Sequence, residues 1–224
     1  MQLSVFMDYQ NPKIKICCIN SIEEAQTAIR FGASAIGLVS AMPSGPGIIS
    51  EELIREIAQR VPVGIDTFLL TSKQDPQAII AQQKKTLVHT IQIVDTFPWS
   101  GYTVLRHAMP NIHIVQVVHV QGHQSIDEAM AIAPHVDAIL LDSGNPSLAV
   151  KELGGTGRTH DWTVSRRIRD RVKIPIYLAG GLNPENVREA IEQVHPYALD
   201  VCSGVRTNGH LDQQKLSDFF SNIH

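Results

Sequence analysis

One pattern recurs eight times along the 224-residue chain: a short run of β-branched and aliphatic residues, a turn, and a segment with the spacing of an amphipathic helix. Strands that alternate with helices in this way pair in parallel, because each helix carries the chain back across the sheet. Eight such units are the number that closes a barrel. An open doubly wound sheet is the alternative, but no glycine-rich dinucleotide turn follows the first strand. The sequence therefore predicts an α/β protein with a (β/α)8 TIM barrel.

Local signals place the individual elements. Strands are predicted at residues 13–19, 35–39, 63–69, 89–93, 113–120, 138–141, 174–178 and 198–202. Helix starts are indicated at Ser21, Ser50, Asp75, Ser125, Asp161, Asn183 and Asp212, and residues 102–107 carry the weakest helical pattern. Residues 13–224 are predicted to form one TIM-barrel domain, preceded by an N-terminal extension at residues 1–12.

Composition narrows the classes of function. Hydrophobic residues make up 43% and charged residues 18% of the chain, and the net charge is −3, with no cluster of Lys and Arg. Nucleic acid or an anionic membrane surface would need such a cluster. The first residues lack a signal-peptide pattern, and no apolar run reaches membrane-spanning length. Three cysteines, two of them adjacent, give neither a disulfide framework nor a spaced metal motif. We therefore expect a cytoplasmic protein without a metal, a nucleic-acid partner or a membrane partner, whose oligomeric state the sequence leaves open.

Glycine-bearing turns follow the last three predicted strands. They contain Gly154, Gly155, Thr156 and Gly157 after strand six, Ala179, Gly180 and Gly181 after strand seven, and Ser203 and Gly204 after strand eight. Glycine lets backbone N–H groups approach a ligand, and a helix N-terminus adds positive potential. The alternative is that these glycines only form tight turns and bind no ligand. Three such turns at neighbouring strand ends, where barrels commonly hold phosphate, favour a phosphate site.

Several motifs together resemble the phosphoribosylanthranilate isomerase family of tryptophan biosynthesis. They lie at residues 15–17, 140–143, 154–162, 178–187 and 200–205, and the match is stronger in the second half of the chain. The resemblance implies an Amadori rearrangement, an aldose–ketose isomerisation classed with the intramolecular oxidoreductases. Its substrate would be a phosphorylated sugar-amine, N-(5-phosphoribosyl)anthranilate, its product the 1-deoxyribulose phosphate, and it would need no cofactor.

The same resemblance implies the two proton-transfer residues. Cys17 would be the general base that removes the proton from the sugar C2, and Asp142 the general acid that protonates the ring oxygen. A thiolate is a capable base once its pKa is lowered, and a carboxyl can deliver a proton. Strands one and six lie on opposite sides of the barrel mouth, so the two groups can flank a bound sugar.

Side-chain alternation predicts which residues enter the barrel. If Cys17 points inward, Lys15 does too, while Cys18 points outward. Asp200 on strand eight also points inward. Strands one and eight are neighbours in a closed barrel, and either charge alone would be costly there. We therefore expect an ion pair between Lys15 and Asp200 with a structural role, orientation of the ligand being the alternative.

The first half departs from the family pattern at three places. Cys18 stands where the family usually has Gly, and Gly47 stands about where the family has an Arg for the anthranilate carboxylate. After strand four, Gln92 is kept but the His and Gly of a Gln-Leu-His-Gly motif are lost. Arg206, a possible substrate-carboxylate residue, heads the candidates to replace the Arg, followed by Arg106 and His107, although each alone fits solvated surface charge as well.

Three interpretations therefore stay open. The chain is a phosphoribosylanthranilate isomerase that uses Cys17 and Asp142, an Amadori-type isomerase for another phosphoribosyl-amine whose aglycone lacks a carboxylate, or a non-catalytic phosphosugar-binding barrel.

Overall fold

Eight parallel strands pair in chain order, and β8 pairs with β1 to close the sheet into a barrel. The strands are β1 Lys13–Ile16, β2 Ala35–Val39, β3 Asp66–Thr71, β4 Thr90–Ile93, β5 His113–His119, β6 Ala138–Asp142, β7 Ile176–Leu178 and β8 Ala198–Val201. The predicted (β/α)8 TIM barrel is confirmed. The computed structural model describes residues 11–145, 147–148, 151–155 and 157–223. Residues 1–10, most of the predicted extension, and Thr156 of the predicted phosphate turns lie outside the described residues.

One helix follows each strand and packs on the outside of the barrel. The helices are α1 Ile22–Arg30, α2 Glu51–Arg60, α3 Pro76–Thr86, α4 Trp99–Ala108, α5 Gln124–Ile132, α6 Trp162–Arg171, α7 Val187–Val194 and α8 Gln213–Ser221. A 3-10 turn at Ser203–Val205 and a small hairpin of β9 Arg206–Thr207 and β10 His210–Leu211 lie between β8 and α8. Within the described ranges, no helix combines the length and the apolar character needed to cross a membrane.

Five helices begin at the capping residues that the sequence indicates. The side chains of Ser21, Ser50, Asp75, Asp161 and Asp212 each accept a hydrogen bond from a backbone N–H in the first turn of the helix that follows. Each bond satisfies a donor that has no partner within the helix.

Several predicted boundaries are displaced. β1 ends at Ile16 rather than at residue 19, because Cys18 has a left-handed backbone with φ 60°. β3 begins at Asp66 rather than at residue 63, because the Ile65 N–H donates to the Pro62 carbonyl (3.2 Å) in a turn ahead of the strand. Helices α4 and α5 begin slightly earlier than predicted, and α7 begins four residues after the predicted start at residue 183.

The alternating side chains of the strands form two buried layers. Ile14 and Ile16 of β1 belong to the larger layer, between the sheet and the helices. Cys17, Phe68 and Leu140 belong to the layer inside the barrel. This division follows from the period of two along a strand, and the barrel interior is filled by side chains rather than open.

Lys15 and Asp200 form an ion pair inside the barrel. The two residues are partners in the register of β1 and β8, and Lys15 Nζ lies 2.8 Å from Asp200 Oδ2. Lys15 is wholly buried. Burial lowers the pKa of Lys15, but the attraction of the Asp200 carboxylate outweighs this effect and the pKa is raised. The pair is thus the one expected from the alternation of the two strands.

Substitution of one member of this pair should destabilise the barrel. Lys15→Met leaves the Asp200 carboxylate buried without a counter-ion, so we expect the free energy of unfolding to fall by about 3–5 kcal/mol in denaturant titrations. The double variant Lys15→Met/Asp200→Leu removes both charges and should recover most of that loss. Arg60→Ala, which breaks an exposed pair with Glu56, is the control and should change stability little. A single variant as stable as the wild type would contradict the structural role.

Candidate active site

The carboxyl ends of the strands open onto a cavity. Most of the site residues predicted from the sequence line it: Cys17, Asp142, Gly154, Gly155, Gly157, Ala179, Gly180, Gly181, Asp200 and Ser203. The lining also includes residues from the first half of the chain: Cys18, Val39, Met42, Ser44, Gly45, Pro46, Leu70 and Gln92. The structure therefore brings the predicted proton-transfer residues and glycine turns to one place.

Cys17 lies at the floor of this cavity beside the buried lysine. Lys15 Nζ donates to the Cys17 sulfur at 3.7 Å. The absence of a side chain at Gly37 of β2 makes this arrangement possible, since a Cβ there would lie 2.7 Å from Cys17 Sγ and 3.1 Å from Lys15 Nζ. The strand glycine thus provides the space in which the thiol and the ammonium meet.

Cys18 also faces the cavity, so the prediction that it points outward is wrong. Alternation would place it on the outer face, but its φ of 60° interrupts the extended backbone just after β1. Its side chain joins the interior layer with Cys17 and lies at the cavity surface. The left-handed conformation is costly for a residue with a Cβ, and it is the conformation that Gly adopts most readily.

The two adjacent thiols differ in acidity. A hydrogen bond from the Cys18 thiol lowers the pKa of Cys17, and this effect together with the Lys15 charge outweighs the opposing effects of burial and the Asp200 charge. The pKa of Cys18 is raised well above the ordinary thiol value, first by its hydrogen bond to Cys17 and then by its contact with Cys202. Cys17 is therefore the thiol that ionises first, as a general base requires.

Asp142 ends β6 on the opposite side of the mouth. Its Oδ1 accepts a hydrogen bond from the Ser143 N–H at 2.7 Å. Its Oδ2 faces Gly154, where a Cβ would lie only 2.8 Å away. Burial lowers the pKa of the neighbouring His160 to about 4, against the opposing effect of Asp142. The imidazole beside this carboxyl is therefore neutral at ordinary pH.

The glycine turns after β6, β7 and β8 pack directly on one another. A Cβ at Gly181 would lie 2.6 Å from the backbone carbon of Arg158, and a Cβ at Gly204 would collide with the Leu182 carbonyl oxygen. Gly204 is thus needed for the packing and does not itself line the cavity. The expected helix N-terminus is also displaced, because Asn183 Oδ1 accepts the N–H groups of Glu185 and Asn186 in a turn that precedes α7.

Arg206 does not reach the cavity, so its predicted role toward a substrate carboxylate is wrong. Its guanidinium donates to both carboxylate oxygens of Glu24 at 2.9 Å and to the carbonyl oxygen of Cys18 at 2.6 Å. Its side chain is only 7% exposed. Arg206 instead supports the left-handed turn after β1 from below. Arg106, the second candidate, pairs with Asp137 at 2.7 Å ahead of β6, at the other end of the barrel.

Three residues of the site were missed at the sequence level. Gly37 interrupts the strand sequence Ala-Ile-Gly-Leu-Val, a signal that a neighbour approaches closely. Gln92 was noted but given no role, yet it lines the cavity and its buried Oε1 has no hydrogen-bond partner among the described residues. Met42 follows β2 in a loop whose path the sequence does not specify.

In the part of the chain described, His, Cys, Asp and Glu form no group of three that could hold a metal ion.

Fold and site together define a TIM-barrel protein with a low-pKa thiol and a carboxyl facing one cavity beside glycine turns. The model of the N-(5'-phosphoribosyl)anthranilate (PRA) isomerase family matches residues 14–222. The chain belongs to this family.

Individual relatives agree with the family match. N-(5'-phosphoribosyl)anthranilate isomerase 2 of Methanosarcina mazei is 37% identical over 209 residues, which cover 92% of each chain. The crystal structure of phosphoribosyl anthranilate isomerase from Thermotoga maritima is 30% identical, with a TM-score of 0.81 over 95% of this chain and 98% of that one. A phosphoribosyl anthranilate isomerase in complex with reduced 1-(O-carboxyphenylamino)-1-deoxyribulose 5-phosphate matches with a TM-score of 0.79 and 28% identity, over 95% of this chain and 98% of that chain.

The hydrogen bond between the thiols predicts a change in pH dependence. A general base at Cys17 would act as a thiolate, so kcat/KM should then fall as the pH drops through its pKa. Cys18→Ala removes the donor that lowers this pKa, and the acidic limb of the profile should therefore move to higher pH. Cys18→Ser keeps a hydrogen-bond donor and a Cβ, so the acidic limb of its pH profile should stay closer to that of the wild type. The measurement is kcat/KM from about pH 5 to about pH 9; an unchanged limb in Cys18→Ala would count against this role of Cys18.

Proposed function

We propose that the protein converts N-(5-phosphoribosyl)anthranilate into the corresponding 1-deoxyribulose 5-phosphate in tryptophan biosynthesis. The observation that carries the proposal is that Cys17, with its lowered pKa, and Asp142 face the same cavity in a member of this isomerase family. The substrate is a phosphorylated sugar-amine, and the reaction takes place in the cytoplasm. An aldose–ketose isomerisation of this kind redistributes protons and electrons within one molecule.

Asp142 starts the reaction as the general acid. It protonates the ring oxygen while the nitrogen lone pair forms a C=N bond and the bond from C1 to the ring oxygen breaks. The Cys17 thiolate then takes the C2 proton, and the electrons of that C–H bond form C1=C2 as the C=N electrons return to nitrogen. The resulting enolamine becomes the ketone as C1 gains a proton and the C2 hydroxyl loses its proton to form the C2=O bond. Positions on opposite sides of the mouth, at the ends of β1 and β6, suit the two separate transfers.

The glycine turns would bind the phosphate through backbone groups. Gly154, Gly155, Gly157, Gly180 and Gly181 all have positive φ, which turns N–H groups in directions that ordinary residues rarely allow. Ala179 and Ser203 complete this side of the cavity. Successive N–H groups in such turns form concave anion sites without a lysine or arginine. In the related complex, the bound molecule carries a 5-phosphate.

Substitution of either proton-transfer residue tests the proposal. The fluorescence of phosphoribosylanthranilate, generated in situ, decreases as it is consumed. Cys17→Ala and Asp142→Asn should each lower kcat by about 10²–10⁴-fold, the usual contribution of a positioned acid or base. Asp170→Asn, which changes an exposed carboxyl on α6, is the matched control and should keep wild-type activity.

The binding-only alternative makes a different prediction. A folded wild type that binds phosphosugars but turns over no phosphoribosylanthranilate would overturn the proposed function. Circular dichroism of each variant separates loss of chemistry from loss of fold.

A further inference from the structure

Apart from Ser44 and Gln92, the side of the cavity that faces the glycine turns is apolar. It is formed after β1, β2 and β3 by Cys18, Val39, Met42, Pro46 and Leu70, which we call the apolar wall. In the closed barrel these strands lie across from β6 and β7. With the phosphate in the glycine turns and the sugar carbons between the two proton-transfer residues, the aryl group of the substrate packs on this wall.

A carboxylate on that aryl group would meet no counter-ion there. None of the described residues that line the cavity is Lys, Arg or His. Four cations nearby are already paired: Lys15 with Asp200, Lys151 with Asp95, Arg158 with Glu152 and Arg206 with Glu24. The ionisable groups that line the cavity are acids, namely Asp142, Asp200 and the two thiols of Cys17 and Cys18. A carboxylate that loses water against such a surface gains little in return.

The backbone explains why the loop after β2 carries no cation at residue 47. Gly47 has φ 76°, and a Cβ on it would lie 2.6 Å from the Cβ of Cys18 and 3.0 Å from its Cα. Cys18 itself holds its side chain inward through its left-handed backbone. A Cβ at position 47 therefore conflicts with the Cys18 side chain and is also strained by the left-handed backbone of residue 47 itself.

The proposed chemistry does not require the carboxylate. Ring opening uses the lone pair of the amine nitrogen, and the C2 proton goes to Cys17. The reacting atoms are the nitrogen, the ring oxygen, C1, C2 and the C2 hydroxyl, and none of them belongs to the ring substituent. An arylamine without a carboxylate supplies the same nitrogen. The carboxylate therefore affects turnover only if the protein binds it.

We infer that this cavity accepts N-(5-phosphoribosyl) arylamines without a ring carboxylate about as well as the anthranilate compound, because Cys18 against Gly47 leaves the apolar wall without a cation. This inference rests on the proposed function and defines the class of substrates of the same site. On this inference the site recognises its substrate by the phosphosugar and the amine nitrogen, and the ring substituent contributes little to recognition.

The test compares two substrates formed in situ from ribose 5-phosphate with either anthranilate or aniline. The ketose product is measured by mass spectrometry, so that one assay serves both. We expect values of kcat/KM within about tenfold of each other for the wild type. A value for the aniline compound more than about 100-fold lower, with good turnover of the anthranilate compound, overturns the inference and leaves the proposed function intact. Turnover of neither compound by folded protein overturns both.

A double-substitution cycle tests the steric cause. Cys18→Gly/Gly47→Arg removes the Cys18 side chain from the contact and adds a cation, so kcat/KM for the anthranilate compound alone should rise about tenfold or more, measured on the pH plateau of each variant. Gly47→Arg alone should clash with Cys18, lower the Tm and bring no such gain. Cys18→Gly alone should not favour either substrate. If Gly47→Arg alone kept the wild-type Tm and gained as much as the double variant, the exclusion between the two positions would be refuted.

A substitution of Lys73 tests whether a lysine near the cavity binds the carboxylate of the substrate. It follows β3 at the same end of the barrel but does not line the cavity. Lys73→Met should affect both substrates equally. A loss of about tenfold or more confined to the anthranilate compound would show that Lys73 binds the carboxylate, and the inference would be overturned.

Discussion

The buried ion pair between Lys15 and Asp200 joins the first and last strands at the point where the barrel closes. Neither charge could remain in this interior alone, so the pair constrains the register of β1 against β8. The same ammonium lies 3.7 Å from the Cys17 sulfur, and Gly37 leaves room for both groups. The interaction that closes the sheet therefore also places a positive charge beside the proposed base. Structural and chemical roles coincide here because they use one lysine.

A second constraint follows one residue further along the chain. The left-handed backbone of Cys18 ends β1 and turns a second thiol into the cavity, where it donates to Cys17 and packs against Gly47. Arg206 stabilises this turn through the Cys18 carbonyl and is itself held by Glu24. The costly conformation is thus supported by buried contacts from the end of the chain. One residue links the acidity of the base to the shape of the apolar wall.

The sequence was most informative where periodicity or capping chemistry determines structure. Eight strand–helix units predicted the barrel, and the alternation of β1 and β8 predicted that Lys15 meets Asp200. Alternation failed at Cys18, because a period of two holds only while the backbone stays extended. The role of Arg206 was mistaken because its partner Glu24 lies 182 residues away, a contact that no local pattern reveals. Loops such as that of Met42 were likewise beyond prediction, since their paths depend on tertiary packing.

The two halves of the cavity recognise their ligands through different physics. The glycine turns offer main-chain groups. They need residues without side chains, because Gly181 and Gly204 are so close to neighbouring backbone that a Cβ would not fit. The apolar wall acts through side chains, and residues 18 and 47, which shape it, lie outside the strands of the barrel. The proposed proton-transfer residues lie between the two halves, on strand ends that the barrel itself positions. A chain built this way would keep the proposed phosphosugar chemistry while its requirement for a particular aryl group depends on the backbone of residue 47 and its contact with Cys18.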